Sequence, residues 1–238
     1  MPAIAPAARE TKAFMSTHSR YAVYYMPRPG ALATFGAQWL GWDAQAACAV
    51  PQPGLAGISA LTETPRKYGF HATLKPPFRL VDRRDRDQLE TARATLAERT
   101  APAKAEGLAL TRLGRFFALT PVGDPAGLER VARACVTDLD SFRAPLSDAD
   151  LQRRRKARLS DRQEALLSQW GYPYVMEQFR FHLTLTGKVQ RNRLDEVKAK
   201  IEAHLPVLPT PFVVADICLC GERADGRFEL LRRFALSG

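Results

Sequence analysis

The chain is poor in the residues that mark metal or redox centres. Among 238 residues there are only four cysteines and four histidines. Cys48, Cys135, Cys218 and Cys220 form no Cys-x-x-Cys pair, so the sequence writes neither a zinc knuckle nor a dithiol redox site. Cys218 and Cys220 are spaced to share one face of a strand, and three of the four thiols sit among apolar residues as small buried hydrophobes. That usage suits a reducing cytoplasm. No apolar run approaches the ~18 residues of a membrane span, which excludes a transmembrane helix and a membrane partner. Residues 1–19, MPAIAPAARETKAFMSTHS, lack the apolar core of a secretory signal and are expected to be a disordered leader, with Met15 as an alternative start. Residues 20–238 are expected to form one bilobal domain.

Acidic residues are also scarce relative to basic ones. Lys plus Arg number 35 against 25 Asp plus Glu, a net charge of +10. The excess points to an anionic ligand or a nucleic acid. No obligate protein partner is evident.

Elements are readable along the chain. RYAVYYMP (20–27) predicts a strand, and ALATFGAQWLGWD (31–43) a helix ending near Gly41. The Pro-, Gly-, Ser- and Thr-rich stretch 50–66 predicts a loop, and 69–75 a strand stopped by Pro76 and Pro77. A charged helix over 84–99, a strand near 107–112, a strand over 114–122 and a helix from Pro125 to Leu139 follow. Ser147 stands where a helix would be capped, with a break near Ser160 and a second helix running to Trp170. Residues 177–189 predict a strand and 191–204 a helix, and 212–221 and 227–236 a hairpin about Ala224-Asp225-Gly226. The order strand, helix, strand, strand occurs twice, which predicts two related α+β lobes, each an antiparallel sheet flanked by helices, sharing a cleft.

Two of the four histidines stand in one frame, His-x-Thr-Leu, at His71 and His182. A strand alternates its faces, so His71 with Thr73, and His182 with Thr184, line one face while the intervening Ala72, Leu74, Leu183 and Leu185 line the other. Two such faces opposed across a cleft would gather two imidazoles and two hydroxyls. An imidazole titrates near neutrality, so one can activate an attacking oxygen and the other protonate the leaving oxygen. The hydroxyls can donate to non-bridging phosphoryl oxygens. A strained cyclic phosphodiester fits this set, and neither a metal nor another cofactor is required. Two histidines with no third ligand make a poor zinc site.

The frames, quoted as YGFHATLKPPF (68–78) and FHLTLTG (181–187), resemble those of the 2H phosphoesterase superfamily. More narrowly they resemble a bacterial subfamily linked to phosphonate metabolism, domain of unknown function 1045, over about residues 20–236. The resemblance implies a bilobal fold of two pseudo-symmetric antiparallel sheets around a central cleft. It implies metal-independent hydrolysis of 2′,3′-cyclic or related phosphodiesters, His71 and His182 being the acid–base pair and Thr73 and Thr184 the phosphate-binding hydroxyls.

Further substrate-binding candidates surround these four. Lys75 shares nominal strand parity with His71, and Arg180 with His182. Arg66, Lys67 and Tyr68 flank the first frame, Tyr24 lies in the first strand, and Tyr172 or Tyr174 could stack on a base. Arg143, between Phe142 and Ala144-Pro145, could hold a phosphate bidentately. The run Arg153, Arg154, Arg155, Lys156 and Arg158 reads either as a solvated helix face or as a nucleic-acid contact. The substrate is therefore expected to be a small phosphorylated sugar or nucleotide, with an RNA 3′ end, or binding of phosphoester or RNA without turnover, as the alternatives.

Overall fold

The computed structural model describes residues 18–238. The expected leader falls almost wholly outside the described residues; His18 and Ser19 lie within them.

β1 (Tyr21–Tyr25) is buried along its whole length, as its aromatic and β-branched composition demands. α1 (Ala31–Leu40) ends at Gly41, whose left-handed φ of 78° closes the helix. A small hairpin, β2 (Trp42–Asp43) and β3 (Cys48–Ala49), follows. The stretch read as a loop then contains a helix, α2 (Ile58–Arg66). Its composition is weak for a helix, but Ile58 and Thr62, one turn apart, are both buried, and Thr62 Oγ1 donates back to the Ile58 carbonyl. Tertiary packing overrode the local signal.

β4 (Ala72–Phe78) carries the first frame and runs through Pro76 and Pro77 rather than stopping at them. It lies at the edge of its sheet, where a missing N–H costs no ladder bond. α3 (Arg86–Glu98) starts at Asp85, which accepts from the Gln88 amide in a capping box. β5 (Ala103–Ala105), β6 (Gly107–Leu113) and β7 (Phe116–Val122) lead to α4 (Ala126–Asp138), entered at Pro125. α5 (Asp148–Arg155) is capped by Ser147, as expected, and α6 (Asp161–Trp170) follows the expected break and is capped by Ser160. β8 (Leu183–Thr184) holds the second frame and is far shorter than the strand expected over 177–189. The ladder stops because the amides of Leu185 and Thr186 both converge on the Phe117 carbonyl, two residues against one. α7 (Leu194–Glu202), β9 (Phe212–Val214), β10 (Asp216–Glu222) and β11 (Phe228–Ala235) complete the chain.

The architecture is α+β. One sheet has the order β11-β10-β1-β4, another β6-β7-β8, and β5 pairs with β9; every pairing is antiparallel. In each larger sheet the histidine strand is the edge beside a central strand: β4 beside β1, β8 beside β7. The strands that follow each histidine strand cross over. β6, downstream of β4, joins the sheet of β8, while β10, downstream of β8, joins the sheet of β4. β5 and β9 are the crossing segments, and they pair with one another.

Helices cover one face of the sheets, where Val23, Leu74, Leu89, Val131, Leu119, Leu183 and Val197 share one core. The other face of β1 presents Ala22 and Tyr24 beside Cys218, Cys220 and Phe228. All four cysteines are free, and three are buried; Cys48 is exposed. Among the described residues no helix is long and apolar enough to cross a membrane.

Candidate active site

Tyr24 pairs with Thr73 across the β1–β4 ladder, so both lie on the face away from the helices. The Tyr24 ring packs on His71 at 3.9 Å between centroids, and Tyr68 lies 5.9 Å from the same imidazole. His71 is half-buried, and its Nδ1 lies 2.9 Å from the Gly69 carbonyl. A carbonyl only accepts, so Nδ1 carries the proton and Nε2 keeps its lone pair in the neutral ring. The Thr73 hydroxyl, 3.1 Å away, donates to Nε2. His182 is built the same way: its Nδ1 donates to the carbonyl two residues earlier, that of Arg180, at 2.7 Å. The second ring packs on Phe116 at 5.9 Å. In both frames a backbone carbonyl therefore fixes one tautomer, with Nε2 left for chemistry.

Tyr24, Tyr68, His71, Thr73, Phe116 and Thr184 line a cleft of about 1170 Å³, and His182 stands two residues before Thr184. Burial pushes His71 down to about 4, against the opposing pull of the Gly69 carbonyl, and a charge on His182 lowers it further. Burial also lowers His182, opposed by the Arg180 carbonyl. Both rings are neutral at pH 7. One consequence is measurable without a substrate. As pH falls below the ordinary value of 6.5, the unfolded chain takes up a proton at residue 71 before the folded chain does. Stability is thus full above pH 6.5 and declines towards pH 4. The expected loss is about 1–3 kcal/mol. Denaturant midpoints measured across this range should fall in the wild type and fall less in His71→Asn; parallel curves would contradict the burial.

The remaining sequence candidates divide. Tyr24 and Tyr68 line the cleft, and Tyr172 with them; Tyr174 is exposed outside it. The Tyr24 hydroxyl is buried without a hydrogen bond, and burial raises it well above the usual phenol range. Lys75 does not reach the cleft. The register of β4 against β1 slips between Thr73 and Lys75, so parity is lost at Leu74 and Lys75 turns to the helix side. There Nζ donates to the Val136 carbonyl at 3.0 Å, near the C-terminus of α4, with Asp140 at 3.6 Å. Arg66 is also committed elsewhere: Nε donates to the Leu40 carbonyl at 2.7 Å and Nη2 to the Ser59 carbonyl at 2.8 Å. Arg143 is held by Asp140 at 2.8 Å and by the Gln169 carbonyl at 3.1 Å. Arg180 is exposed and offers the site its carbonyl rather than its side chain.

The basic run is not one continuous face. Arg153 and Arg154 line the cleft, whereas Arg155 pairs with Glu164 on the outside. Arg20, before β1, and Arg79, after β4, also line the cleft and were not singled out from the sequence. Their only signal was position, each at the end of a strand that carries a site residue. Among the described residues, no group of three or more His, Cys, Asp or Glu side chains is gathered as a metal site.

Comparison with known proteins places these features. Residues 73–229 match a family model described as "Protein of unknown function (DUF1045)". A ribose 1,5-bisphosphate phosphokinase PhnN of Janthinobacterium sp. (strain Marseille) is 37% identical over 92% of this chain and 51% of its own length. The protein of that name from Laribacter hongkongensis is 35% identical over 78% of this chain and 44% of its own. The chain thus spans about half the length of the curated relatives it matches. Among solved structures, apo LigT of E. coli is 17% identical, with 94% of this chain and all of that one covered, at a TM-score of 0.45.

Proposed function

The chain belongs to the DUF1045 family of proteins of unknown function, and from its paired His-x-Thr strands we infer that it hydrolyses a phosphodiester, a cyclic ester of a small phosphorylated sugar or nucleotide. The observation that carries this reading is the duplicated tautomer: two imidazoles, each locked through Nδ1 by the carbonyl two residues earlier, each one residue ahead of a strand whose threonine lines one cleft. The resemblance of both frames to the 2H phosphoesterases supports the same chemistry and its independence of metal.

In this reading the phosphodiester enters between the strands. The Thr73 hydroxyl turns from His71 Nε2 to a non-bridging oxygen, matched by Thr184 from the other side. Neutral His71, the more depressed ring, takes a proton from the attacking water at Nε2. His182, protonated, gives one to the alkoxide that leaves. One P–O bond forms and one breaks, and the product is a phosphomonoester. The buried Tyr24 hydroxyl supplies one more donor at the cleft wall.

The relatives point towards a substrate. Their name describes kinases of ribose 1,5-bisphosphate, and opening a cyclic phosphodiester on a ribose phosphate yields a ribose bisphosphate. A cytoplasmic setting goes with this reading.

The test is ring opening followed by ³¹P NMR. Chelator-treated protein is given nucleoside 2′,3′-cyclic phosphates, cyclic phosphates of ribose and short RNAs ending in a cyclic phosphate, with the H71A/H182A protein as blank. The expected result is turnover of a small cyclic ester that the blank lacks. Shortened RNA would assign an exonuclease instead, and tight binding without product a non-catalytic module. Turnover by the blank would remove the histidines from the mechanism.

A further inference from the structure

The cleft also carries four guanidinium groups, Arg20, Arg79, Arg153 and Arg154. Two carboxylates answer them. Glu222 holds Arg20 at 2.6 Å, and Asp150 is shared by Arg79 at 3.0 Å and Arg153 at 2.5 Å. Four cations against two anions leave an excess of two positive charges. Arg154 is the group left over. Among the described residues it pairs with no carboxylate, and its Nε is buried with no hydrogen-bond partner. Its guanidinium lies over the Tyr172 ring at 4.8 Å, which fixes its plane and leaves the in-plane N–H groups for a planar or tetrahedral oxyanion. Burial works against its cationic form, as do the charges of Arg153 and Arg20, while Tyr172 and Asp150 favour it. A half-buried, uncompensated cation is costly unless a ligand supplies the missing charge.

The cluster shares one cleft with the reacting centre. The influences on His71 are burial, the Gly69 carbonyl and His182, with no arginine among them. Arg20, by contrast, feels both Tyr24 and Tyr68, the two rings that border His71. The two tyrosines thus neighbour both His71 and Arg20, within one continuous cleft.

We propose that Arg154, with Arg20, Arg79 and Arg153, forms a second anion subsite that binds a phosphomonoester carried by the substrate on the far side of its sugar from the cyclic phosphodiester. The inference rests on the proposed phosphodiesterase reading for the position of the first phosphate, and it narrows the substrate to esters that bear two phosphorus centres. An excess of two positive charges matches a monoester dianion better than the single charge of an internal RNA diester. Paired Arg79 and Arg153 hold Asp150 in reserve, and Arg154 supplies the bidentate contact.

Product analogues test this by equilibrium titration of the full chain, because they bind without turnover. Two pairs are compared, each differing only in the 5-phosphate: adenosine 3′,5′-bisphosphate with adenosine 3′-phosphate, and ribose 1,5-bisphosphate with ribose 1-phosphate. The bisphosphate should bind at least about tenfold tighter in one pair or both. Arg154→Met should bring that ratio to within about threefold of unity, and Arg154→Lys should leave an intermediate ratio. Matching thermal melts check the fold, and R79M/R153M serves as the second variant. No preference within either pair, equal weakening of both members by Arg154→Met, or tight binding confined to RNA would overturn the subsite. Ring opening measured on the same preparation separates the two readings. A 5-phosphate preference without hydrolysis leaves the subsite and removes the reaction; hydrolysis without preference does the reverse.

Discussion

His71→Ala and His182→Ala should each lower kcat/KM for a cyclic phosphodiester by about a thousandfold, within the span that general acid–base groups contribute. Losing either ring strands the proton transfer that the other depends on, so the double variant should be little worse than the single ones. Thermal stability should change little in comparison, since both rings are only half-buried. The pH profile of kcat/KM identifies which ring does what. With His71 neutral above about 4 and His182 protonated only below its own depressed value, activity is bell-shaped, with its maximum on the acid side of neutrality. His71→Ala should remove the acid limb and His182→Ala the alkaline one. Full activity in either single variant would discard the mechanism.

Gly69→Ala should cost both stability and turnover while leaving both histidines in the sequence. Gly69 has a φ of 73°, a conformation that costs an L-residue roughly 1–2 kcal/mol. A Cβ there would also stand 2.5 Å from the Cβ of Ala44, on the short loop between β2 and β3. Overpacking of this kind adds about 1–3 kcal/mol. The Gly69 carbonyl is the acceptor that holds His71 in its tautomer, so strain at this residue moves the ring as well. A loss of about 2–4 kcal/mol in denaturant unfolding is expected, with kcat falling about tenfold or more. Adding Ala44→Gly removes the clash and leaves the backbone strain, so the pair should recover roughly half of the lost stability. No recovery would mean that the Ala44 contact carries none of the penalty.

Much of the fold was readable from local pattern. Periodicity and caps located β1, α1, α3, α4 and the two helices begun by Ser147 and Ser160, because those elements follow the rules that act within a few residues. Pairing was not readable. The division of 212–221 into β9 and β10 depends on partners more than a hundred residues away in sequence, which no local pattern records. At the site, the strand parity that relates each histidine to its threonine applies only downstream, because the strands begin at Ala72 and Leu183, one residue after each histidine. The same rule failed at Lys75, where a slip of one residue exchanges the faces. Arg66 and Arg143 looked like phosphate ligands by type and neighbourhood, but nearby carbonyls and Asp140 take up their donors. Conversely, Arg154 was hidden in a run whose members face different ways, and only the fold shows that it lines the cleft with its Nε buried and without a hydrogen-bond partner.

The crossing of strands between the two sheets bears on how such a molecule could arise and be taken apart. Cut at Gly114, in the tight turn between β6 and β7, the chain would yield two pieces, each owning one histidine strand and its central neighbour. Neither would own a whole sheet. The first lacks β10 and β11, the second lacks β6, and the β5–β9 rung joins one piece to the other. If the two halves descend from a duplicated ancestor, that ancestor was a strand-exchanged dimer rather than a free monomer. Its descendant retains an all-or-none character: completing either sheet requires chain from both halves, so the two histidines are recruited in a single assembly event.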